Sequence, residues 1–416
     1  MDINIPYEKK IVIITTGGTI GQKKNNEGIK EPVKGAIEHV TDVAIQSIGT
    51  DTNLSFERQG ISFEIRNPML IDSGNTTPKT QLEIARSIFD ASLEEGVMSI
   101  LVTTGTAKLN ETINTMPLMV ETRMPVIFVG SERSHDEKFT DAYRNMKKAI
   151  LSAYELSNIG ISGIYLSFNR RLIPATRVVE MDSSFYDIRE FKGQNFGFFN
   201  KDLLTLKEEE RDLKIEESNR IGCSTLYSAM AENVPLIPII SGVDKKSICF
   251  ILEKAAEEFP ALVLQTNHDM SAREDLHPIL GKIAKTKPIF VTSFYPTFPH
   301  ADNIGSYQTS RKLYSMDIYP GTGQPFLDIA IARAAIGGSE NPREAFIDGI
   351  LRSHLENFHR NVTPTDFERR MGMDYLNALT MARDLNNRLQ ERYSKLELMG
   401  IVRRETNPKN SIKIHS

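Results

Sequence analysis

Three segments of the sequence place threonine or serine beside glycine, where a hydroxyl group could do chemistry. They are residues 15–21 (TTGGTIG), 71–78 (IDSGNTTP) and 103–108 (TTGTAK). The first and third follow β-branched runs that predict strands, and ligands bind at the carboxyl ends of strands in open parallel sheets. A hydroxyl there becomes a nucleophile once a neighbouring base takes its proton. Each segment alone could be an ordinary turn, but three in one sheet predict a shared crevice. The spacing matches neither GxGxxG nor GxxxxGK[ST], which disfavours a dinucleotide or P-loop site.

These segments give the chain a resemblance to a known enzyme family. From residue 10 to about residue 337 it resembles the bacterial-type L-asparaginase and glutaminase family. The third motif continues to residue 112, and three further motifs carry the resemblance: PVIFVGSERS at 125–134, FTDAYRN at 139–145 and LIPATRVVEMDSSFYD at 172–187. The resemblance implies an α/β fold, with a larger N-terminal flavodoxin-like domain built on a parallel sheet and a smaller C-terminal α/β domain. It also implies a homodimer or homotetramer with active sites at subunit contacts, and no cofactor.

The resemblance assigns roles to three hydroxyl groups. Thr19 corresponds to the nucleophile that attacks the amide carbonyl, Thr106 to the second catalytic hydroxyl, and Ser73 to the residue that holds the substrate's α-carboxylate. Backbone amides in the glycine-rich turns could supply an oxyanion hole. The predicted substrate-binding residues are Gly18, Asp72, Ser73, Gly74, Gly105 and Ala107.

Four departures from the family pattern fall in the same motifs. Ala107 stands where the family has Asp, Glu180 where it has its essential Lys, and Gly74 where it has Gln or Ser. The loop at 21–32 has no Tyr to activate the nucleophile, and Ile29 lies near its place. Because a threonine hydroxyl is a poor nucleophile without a base, these losses predict that ordinary asparaginase activity is impaired.

A replacement relay is one reading of these departures. Lys108 lies one position beyond the lost Asp, and Glu180 replaces the Lys, so the two could form an ion pair with exchanged charges. Either Glu180 or a desolvated Lys108 would then act on Thr106, and both belong to the predicted catalytic set. The alternative is that Lys108 points to solvent at a helix start and Glu180 is a surface acid.

Two functions remain open at this stage. Ala107 and Gly74 offer no anchor for an α-ammonium group, and a buried cation without a partner is costly. We therefore expect an amidohydrolase whose substrate, a peptide or small metabolite with an amide, ester or imide, lacks a free α-amino group. The alternative is a catalytically degenerate homologue that acts as a small-molecule binding or regulatory protein.

The elements that must position these residues alternate along the chain. Strands are predicted at 11–16, 99–104, 125–130 and 162–167, with helices at 78–95, 109–121 and 140–156. This alternation is typical of a mostly parallel sheet. Thr77 and Pro78 predict the start of the first helix, and Leu82, Ala85, Phe89 and Leu93 its apolar face.

The same pattern predicts the domain boundaries. Residues 1–200 form the N-terminal domain with the catalytic threonines, and 201–232 a charged, solvated linker. Residues 233–338 form the C-terminal α/β domain, with strands at 234–241, 261–266 and 288–293 and helices near 245–259 and 272–285. A helical extension, outside the resemblance, covers residues 339–416.

Composition and charge disfavour several classes of partner and site. In 416 residues, 50 Lys and Arg oppose 54 Asp and Glu, a formal charge of −4 that disfavours a nucleic-acid surface. Two cysteines, expected to be buried thiols, are too few for a disulfide framework. No HExxH pattern predicts a metal site, and no apolar run reaches the roughly 18 residues of a membrane span. With no signal peptide pattern at the N-terminus, we expect a cytoplasmic protein.

Overall fold

Buried runs of isoleucine, valine and leucine form the central strands, and their positions come from a computed structural model. It describes residues 9–27, 30–69, 71–181, 184–187, 195–219, 221–267, 270–294, 309, 312–313, 315–343, 345–346 and 349. The chain divides into two units, the first ending at Ser228 and the second beginning at Ala229.

The first unit is built on one large sheet with small hairpins around it. Its strands are β1 (Lys9–Thr15), β2 (Gln22–Lys24), β3 (Lys30–Pro32), β4 (Ile61–Arg66), β5 (Val97–Thr103), β6 (Val120–Glu121), β7 (Pro125–Val129), β8 (Gly163–Phe168), β9 (Arg171–Pro174), β10 (Val178–Met181), β11 (Ser184–Asp187), β12 (Gly197–Asn200), β13 (Leu203–Leu206) and β14 (Thr225–Leu226). The four strands predicted in this half are confirmed as β1, β5, β7 and β8.

The large sheet has the strand order β13-β12-β9-β8-β7-β5-β1-β4. Strands β4, β1, β5, β7 and β8 are parallel, and β9, β12 and β13 add an antiparallel edge. Numbered among themselves, the parallel strands have the order 2-1-3-4-5 of flavodoxin-like sheets. The predicted α/β class with a mostly parallel sheet is therefore confirmed.

Five helices accompany these strands: α1 (Ala36–Thr52), α2 (Pro78–Ser92), α3 (Leu109–Met119), α4 (Ala142–Asn158) and α5 (Glu208–Asn219). Helix α1 packs against α4, and α2 packs against α3. Ile11 and Ile13 of β1 share a core with α1 and α4, so the alternate residues Val12 and Ile14 face the other side of the sheet. Strands buried on both faces explain why they read as continuous apolar runs.

Helix α2 begins as predicted but buries a different face. Thr77 accepts a hydrogen bond from the Thr80 backbone and Pro78 occupies the first turn. The buried stripe runs through Ile84, Ala85 and Ile88, whereas the predicted Leu93 is 60% exposed. Of the predicted face, Ala85 is confirmed and Leu93 was wrong, because the buried stripe is centred on Ile84 and Ile88.

The segment at 201–232 differs from a solvated connection. Strand β13 pairs with β12 at the edge of the large sheet, and helix α5 follows it. The charge that suggested solvent exposure is partly used inside, since Glu210 is buried.

The second unit contains a four-stranded parallel sheet with the order β15-β16-β17-β18. Its strands are β15 (Leu236–Pro238), β16 (Leu262–Thr266), β17 (Ile289–Ser293) and β18 (Ile318–Pro320), and its helices are α6 (Lys245–Glu258), α7 (His277–Ala284) and α8 (Pro325–Gly338). The three predicted strands and the helix near 245–259 are confirmed. The predicted helix at 272–285 is shorter, because a 3-10 turn occupies Glu274–Leu276.

The structure bears on the predictions about membrane spans, cysteines and the C-terminal extension. No helix within the described ranges is long and apolar enough to cross a membrane. Both cysteines are free, and the expectation of burial was wrong for Cys223, which is exposed. The predicted extension at 339–416 lies almost entirely outside the described residues.

Candidate active site

The hydroxyl-bearing segments meet at the point in the sheet where the strand order reverses. Strands β1 and β5 are adjacent, with Thr15 beside Thr103, and Thr103 lies beside Val129 at the end of β7. The chain leaves β1 toward β4 on one side, and the later strands continue on the other side of β1. Such a switch point opens a crevice at the carboxyl ends of the strands. The predicted crevice is thus at the ends of β1 and β5.

Two glycine turns touch through their backbones in this crevice. Gly17 and Gly18 have φ angles of 105° and 90°, which side-chain-bearing residues rarely adopt. A β-carbon added at Gly18 would overlap the backbone of Thr104 and Gly105. The turn after β1 therefore needs glycine for both its conformation and its approach to the turn after β5.

The loop of Ser73 closes on the same point. The Ile71 N–H donates to the Thr16 carbonyl at 3.0 Å, and Gly17 forms a parallel bridge with Ile71. Asp72 accepts a hydrogen bond from the Gly74 N–H at 3.0 Å, which shapes the 3-10 turn at Ser73–Asn75. A β-carbon at Gly105 would overlap the Ser73 hydroxyl oxygen. The buried Ser73 side chain therefore lies directly against Gly105.

Gly130, which follows the carboxyl end of β7, lies beside these loops. A β-carbon at Gly130 would lie 3.5 Å from the Thr106 methyl carbon. Thr19 and Thr106 are both partly exposed. Among the residues the structure describes, the hydroxyls of Thr19, Ser73 and Thr106 make no hydrogen bond, so all three are available to a ligand.

Comparison with known proteins shows the family to which the chain belongs. Residues 10–208 match a family model described as "Asparaginase, N-terminal". The chain is 32% identical over 355 residues to a component of the glutamyl-tRNA(Gln) amidotransferase of Thermoplasma volcanium, covering 83% of this chain and 80% of that protein. This chain belongs to the asparaginase family.

Two further relatives show how the likeness is distributed. An L-asparaginase of Bacillus licheniformis is 28% identical over 190 residues, which is 46% of this chain and 55% of that protein. The thermostable L-asparaginase from Thermococcus kodakarensis has a similar structure, with a TM-score of 0.65 at 21% identity over 81% of this chain and 96% of that one. The structural likeness establishes the fold, and the family is one of amidohydrolases.

The altered positions of this asparaginase-family chain do not form the expected ion pair. The Lys108 ammonium donates to the Thr76 carbonyl oxygen at 3.1 Å, and no ion pair joins it to Glu180, although both residues are described. The predicted pairing of these two residues was wrong in this structure. The reason is local: Lys108 precedes the first turn of α3, where Thr76 offers the nearer acceptor.

Glu180 lies on the exposed half of β10, opposite Phe185 of β11. Partial removal from water raises the pKa of its carboxyl group above the ordinary value. Strand β10 packs against α3, the helix that follows Thr106. The Asn114 amide of α3 helps to hold this contact by donating to the Ala175 carbonyl oxygen at 2.6 Å.

A buried charge cluster that was not predicted from the sequence supports β10. Arg177, at the start of β10, pairs with Asp187, at the end of β11, and with Glu210 of α5 at 2.6 Å. All three side chains are at most 5% exposed. The available signal was Arg177 directly before the two valines of a strand pattern, because a charged residue is seldom buried without a partner.

The described residues contain no group of three or more His, Cys, Asp or Glu side chains that could hold a metal ion. The packing of Gly18, Gly105 and Ser73 brings the loops of the three hydroxyls together. The predicted substrate-binding residues Gly18, Ser73 and Gly105 are in contact, whereas Gly74 and Ala107 are exposed beside them.

Proposed function

We propose that this chain is an amidohydrolase in which Thr19 is the nucleophile and Thr106 the second catalytic hydroxyl. The observation that supports this most directly is the packing of Gly18, Gly105 and Ser73, which brings three loops with unpaired hydroxyls to one crevice. Thr106 lies near Gly130, because a β-carbon added at Gly130 would come within 3.5 Å of the Thr106 methyl carbon. Such convergence is what acyl transfer requires of its reacting groups.

The proposed reaction proceeds by acyl transfer. The Thr19 oxygen bonds to the amide carbonyl carbon, the C–N bond then breaks, and the hydroxyl proton leaves with the amine. Water hydrolyses the resulting ester, which returns the proton to Thr19 and releases the acid. Among the described contacts, the Thr106 and Ala107 N–H groups make no hydrogen bond, so they are suitable donors to the developing oxyanion.

The proton relay is a separate part of the proposal. Glu180 is the better candidate for the base, because partial removal from water raises the pKa of its carboxyl group and β10 packs on the helix that follows Thr106. A raised carboxyl pKa brings the group closer to the operating pH of a general base. Lys108 instead acts structurally, since its ammonium is bound to Thr76.

The substrate class follows from the groups around Ser73. Gly74 and Ala107 are exposed at the positions where the family resemblance expects the anchors of an α-ammonium group. Neither Gly74 nor Ala107 supplies an anionic side chain, so a free amino acid would lose a partner for its cation at these two positions. We therefore propose a substrate whose α-amino group is absent or acylated, such as a peptide amide. Substrate binding by a homodimer or homotetramer belongs to the same proposal, whereas the tRNA in the names of some relatives does not, because the net charge is −4.

A mass measurement tests the nucleophile. The purified protein, a Thr19→Ala variant and a Thr50→Ala control are exposed to an electrophilic asparagine analogue and to a panel of N-acyl amides. Thr50 is an exposed residue of α1, so its variant loses a hydroxyl far from the proposed chemistry. An adduct or turnover that disappears only in Thr19→Ala supports the proposal. An adduct that survives in Thr19→Ala overturns it.

The alternative function is a binding or regulatory protein that has lost turnover. It is favoured by one observation: no described side chain makes a hydrogen bond to Thr19 or Thr106, so neither hydroxyl has a base in contact. N-acyl amide binding that weakens in Ser73→Ala, with no adduct and no turnover in the unmodified protein, would establish this alternative.

A further inference from the structure

The turn that carries Thr19 is joined at both ends to a short hairpin. Thr19–Gly21 form a 3-10 turn, and the Gln22 N–H donates to the Thr19 carbonyl oxygen. At the other end of the hairpin, the Val33 N–H donates to the Gly21 carbonyl oxygen at 3.1 Å. Strands β2 and β3, which pair in between, therefore transmit any displacement directly to the Thr19 turn.

One carboxylate on another loop contacts both strands of this hairpin. The Glu137 carboxylate receives the Lys24 ammonium of β2 at 2.9 Å and lies 3.7 Å from the Lys30 ammonium of β3. It also accepts the Ser134 N–H at 3.0 Å, which fixes its orientation. The Lys24 hydrogen bond and then that of Ser134 lower the pKa of Glu137 to about 2, so the carboxylate is ionised at neutral pH.

Two further bonds join the same loop to the hairpin. Nδ1 of His135 donates to the Gln22 carbonyl oxygen at 3.0 Å, three residues from Thr19. The Lys30 ammonium donates to the Glu132 carbonyl oxygen at 3.2 Å. Among the described contacts of this loop, Glu137 is nevertheless the one group that reaches both strands through its side chain.

The supporting loop is itself fixed to the body of the unit. The Asp141 carboxylate accepts the N–H groups of Glu132 and Arg133, each at 3.1 Å. It also accepts the side-chain amide of Asn145 in α4 at 2.8 Å. Glu137 therefore stands on a rigid support, and its ion pairs restrain the hairpin more than they restrain the loop.

We propose that Glu137 is a positioning residue that holds the β2–β3 hairpin, and through it the Thr19 turn, in place for reaction with substrate. Among the described contacts, its carboxylate bonds to Ser134, Lys24 and Lys30 and not to the Thr19 hydroxyl. The kinetic part of this inference rests on the proposed function, and the mechanical part does not.

The mechanical test is hydrogen exchange in the full chain. Glu137→Gln keeps the shape and the acceptor for Ser134 but removes the charge. Glu132→Gln is the matched control, because that carboxylate lies in the same loop, is exposed and has no ion pair among the described contacts. Amides of Gln22, Lys24 and Val33 should exchange about two- to fivefold faster in Glu137→Gln, the range expected for partly exposed ion pairs. Equal exchange in the two variants overturns the proposal.

Reversing the charges of both partners should restore the slow hydrogen exchange of the hairpin. In Glu137→Lys combined with Lys24→Glu, the attraction between the loop and β2 is restored with opposite signs, and exchange should return toward that of the unmodified protein. Glu137→Lys alone should give the fastest exchange, since it faces two lysines. A double variant that exchanges as fast as Glu137→Lys contradicts a role for the ion pair.

The kinetic test separates this inference from the proposed function. The rate of Thr19 modification at saturating reagent should fall about two- to fivefold in Glu137→Gln, with the half-saturating concentration unchanged, because Glu137 does not touch the reagent. Faster exchange without any Thr19 modification in the unmodified protein supports the positioning role and counts against the proposed hydrolase. Thr19 modification with unchanged exchange and rate in Glu137→Gln supports the hydrolase and overturns the positioning role.

Discussion

The ammonium group of Lys108 donates a hydrogen bond to the Thr76 carbonyl oxygen at 3.1 Å, which joins the loop after β5 to the loop that carries Ser73. Lys108 lies two residues past Thr106, and Thr76 three residues past Ser73. The bond therefore ties the loop of the proposed second catalytic hydroxyl, Thr106, to the loop of the proposed carboxylate-binding hydroxyl, Ser73. Lys108, which the sequence suggests as a replacement base, thus connects two loops of the pocket.

Lys108→Met should loosen the pocket without removing a reacting group. We expect a loss of about 1 kcal/mol in the free energy of unfolding, because a charge-assisted bond of a partly solvated ammonium is worth less than a buried one. Ligand affinity should fall as the Ser73 loop moves. Urea unfolding and ligand titration measure the two effects, with Lys79→Met as the control, since Lys79 is exposed and has no bond among the described contacts. Identical affinities in the two variants would contradict this role.

Gly105→Ala should close the crevice by one methyl group. The added carbon would overlap the Ser73 hydroxyl and press on Gly18, so we expect a loss of about 1–3 kcal/mol in unfolding free energy, typical of overpacking. Thr19 modification should also fall at least tenfold, because small misplacements of reacting groups are costly. Gly222→Ala is the control, since nothing lies within 4 Å of its added carbon. Comparable stability of the two variants would argue against the close contact.

Arg177→Met should destabilise the first unit strongly. It leaves the buried carboxylates of Asp187 and Glu210 without their guanidinium, and breaking a buried pair costs about 3–5 kcal/mol. Arg211→Met, which removes an exposed pair with Asp212 at 2.9 Å, should cost less than about 1 kcal/mol. Urea unfolding distinguishes the two. A small effect in Arg177→Met would mean that the cluster is not a main support of β10.

The sequence predicts the features that depend on local patterns. The strands at 11–16 and 99–104 follow from buried β-branched runs, and the start of α2 follows from Thr77 and Pro78. The crevice could also be predicted, because the ends of parallel strands meet at one edge of a sheet. These inferences need no knowledge of distant partners.

The features that the sequence does not predict depend on long-range partners. The sequence suggests an ion pair between Lys108 and Glu180. In the structure, the acceptor for Lys108 is instead Thr76, 32 residues away. The contact between Lys24 and Glu137 spans 113 residues, and no local pattern in either segment points to the other. Which acceptor a lysine meets is decided by how the strands are ordered, and one sequence does not contain that information.

The buried carboxyl group of Asp328, in the second unit, should make stability depend on pH. Its fully buried carboxyl accepts the Thr322 N–H at 2.6 Å and the Gly323 N–H at 3.2 Å, and its other donors are the hydroxyls of Thr292 and Thr322. Burial nevertheless dominates and raises its pKa from 3.8 to about 6. Between these two values the folded chain binds a proton that the unfolded chain has lost. The protonated carboxyl therefore favours folding at low pH, and this contribution disappears as the pH rises through 6.

Asp328→Asn removes this titration. The difference in unfolding free energy between the unmodified protein and the variant should therefore change by roughly 2.5 kcal/mol between pH 4 and pH 7, at about 1.4 kcal/mol per pKa unit. The unmodified protein should lose stability relative to the variant over that range. Urea midpoints at pH 4, 5, 6 and 7 measure the difference, with Glu274→Gln as a control because Glu274 is exposed. Taking differences is necessary, since other carboxyl groups also titrate in this window. If the difference were independent of pH, the Asp328 pKa would be the same in the folded and unfolded chains, and its four hydrogen bonds would fully offset the cost of burying its charge.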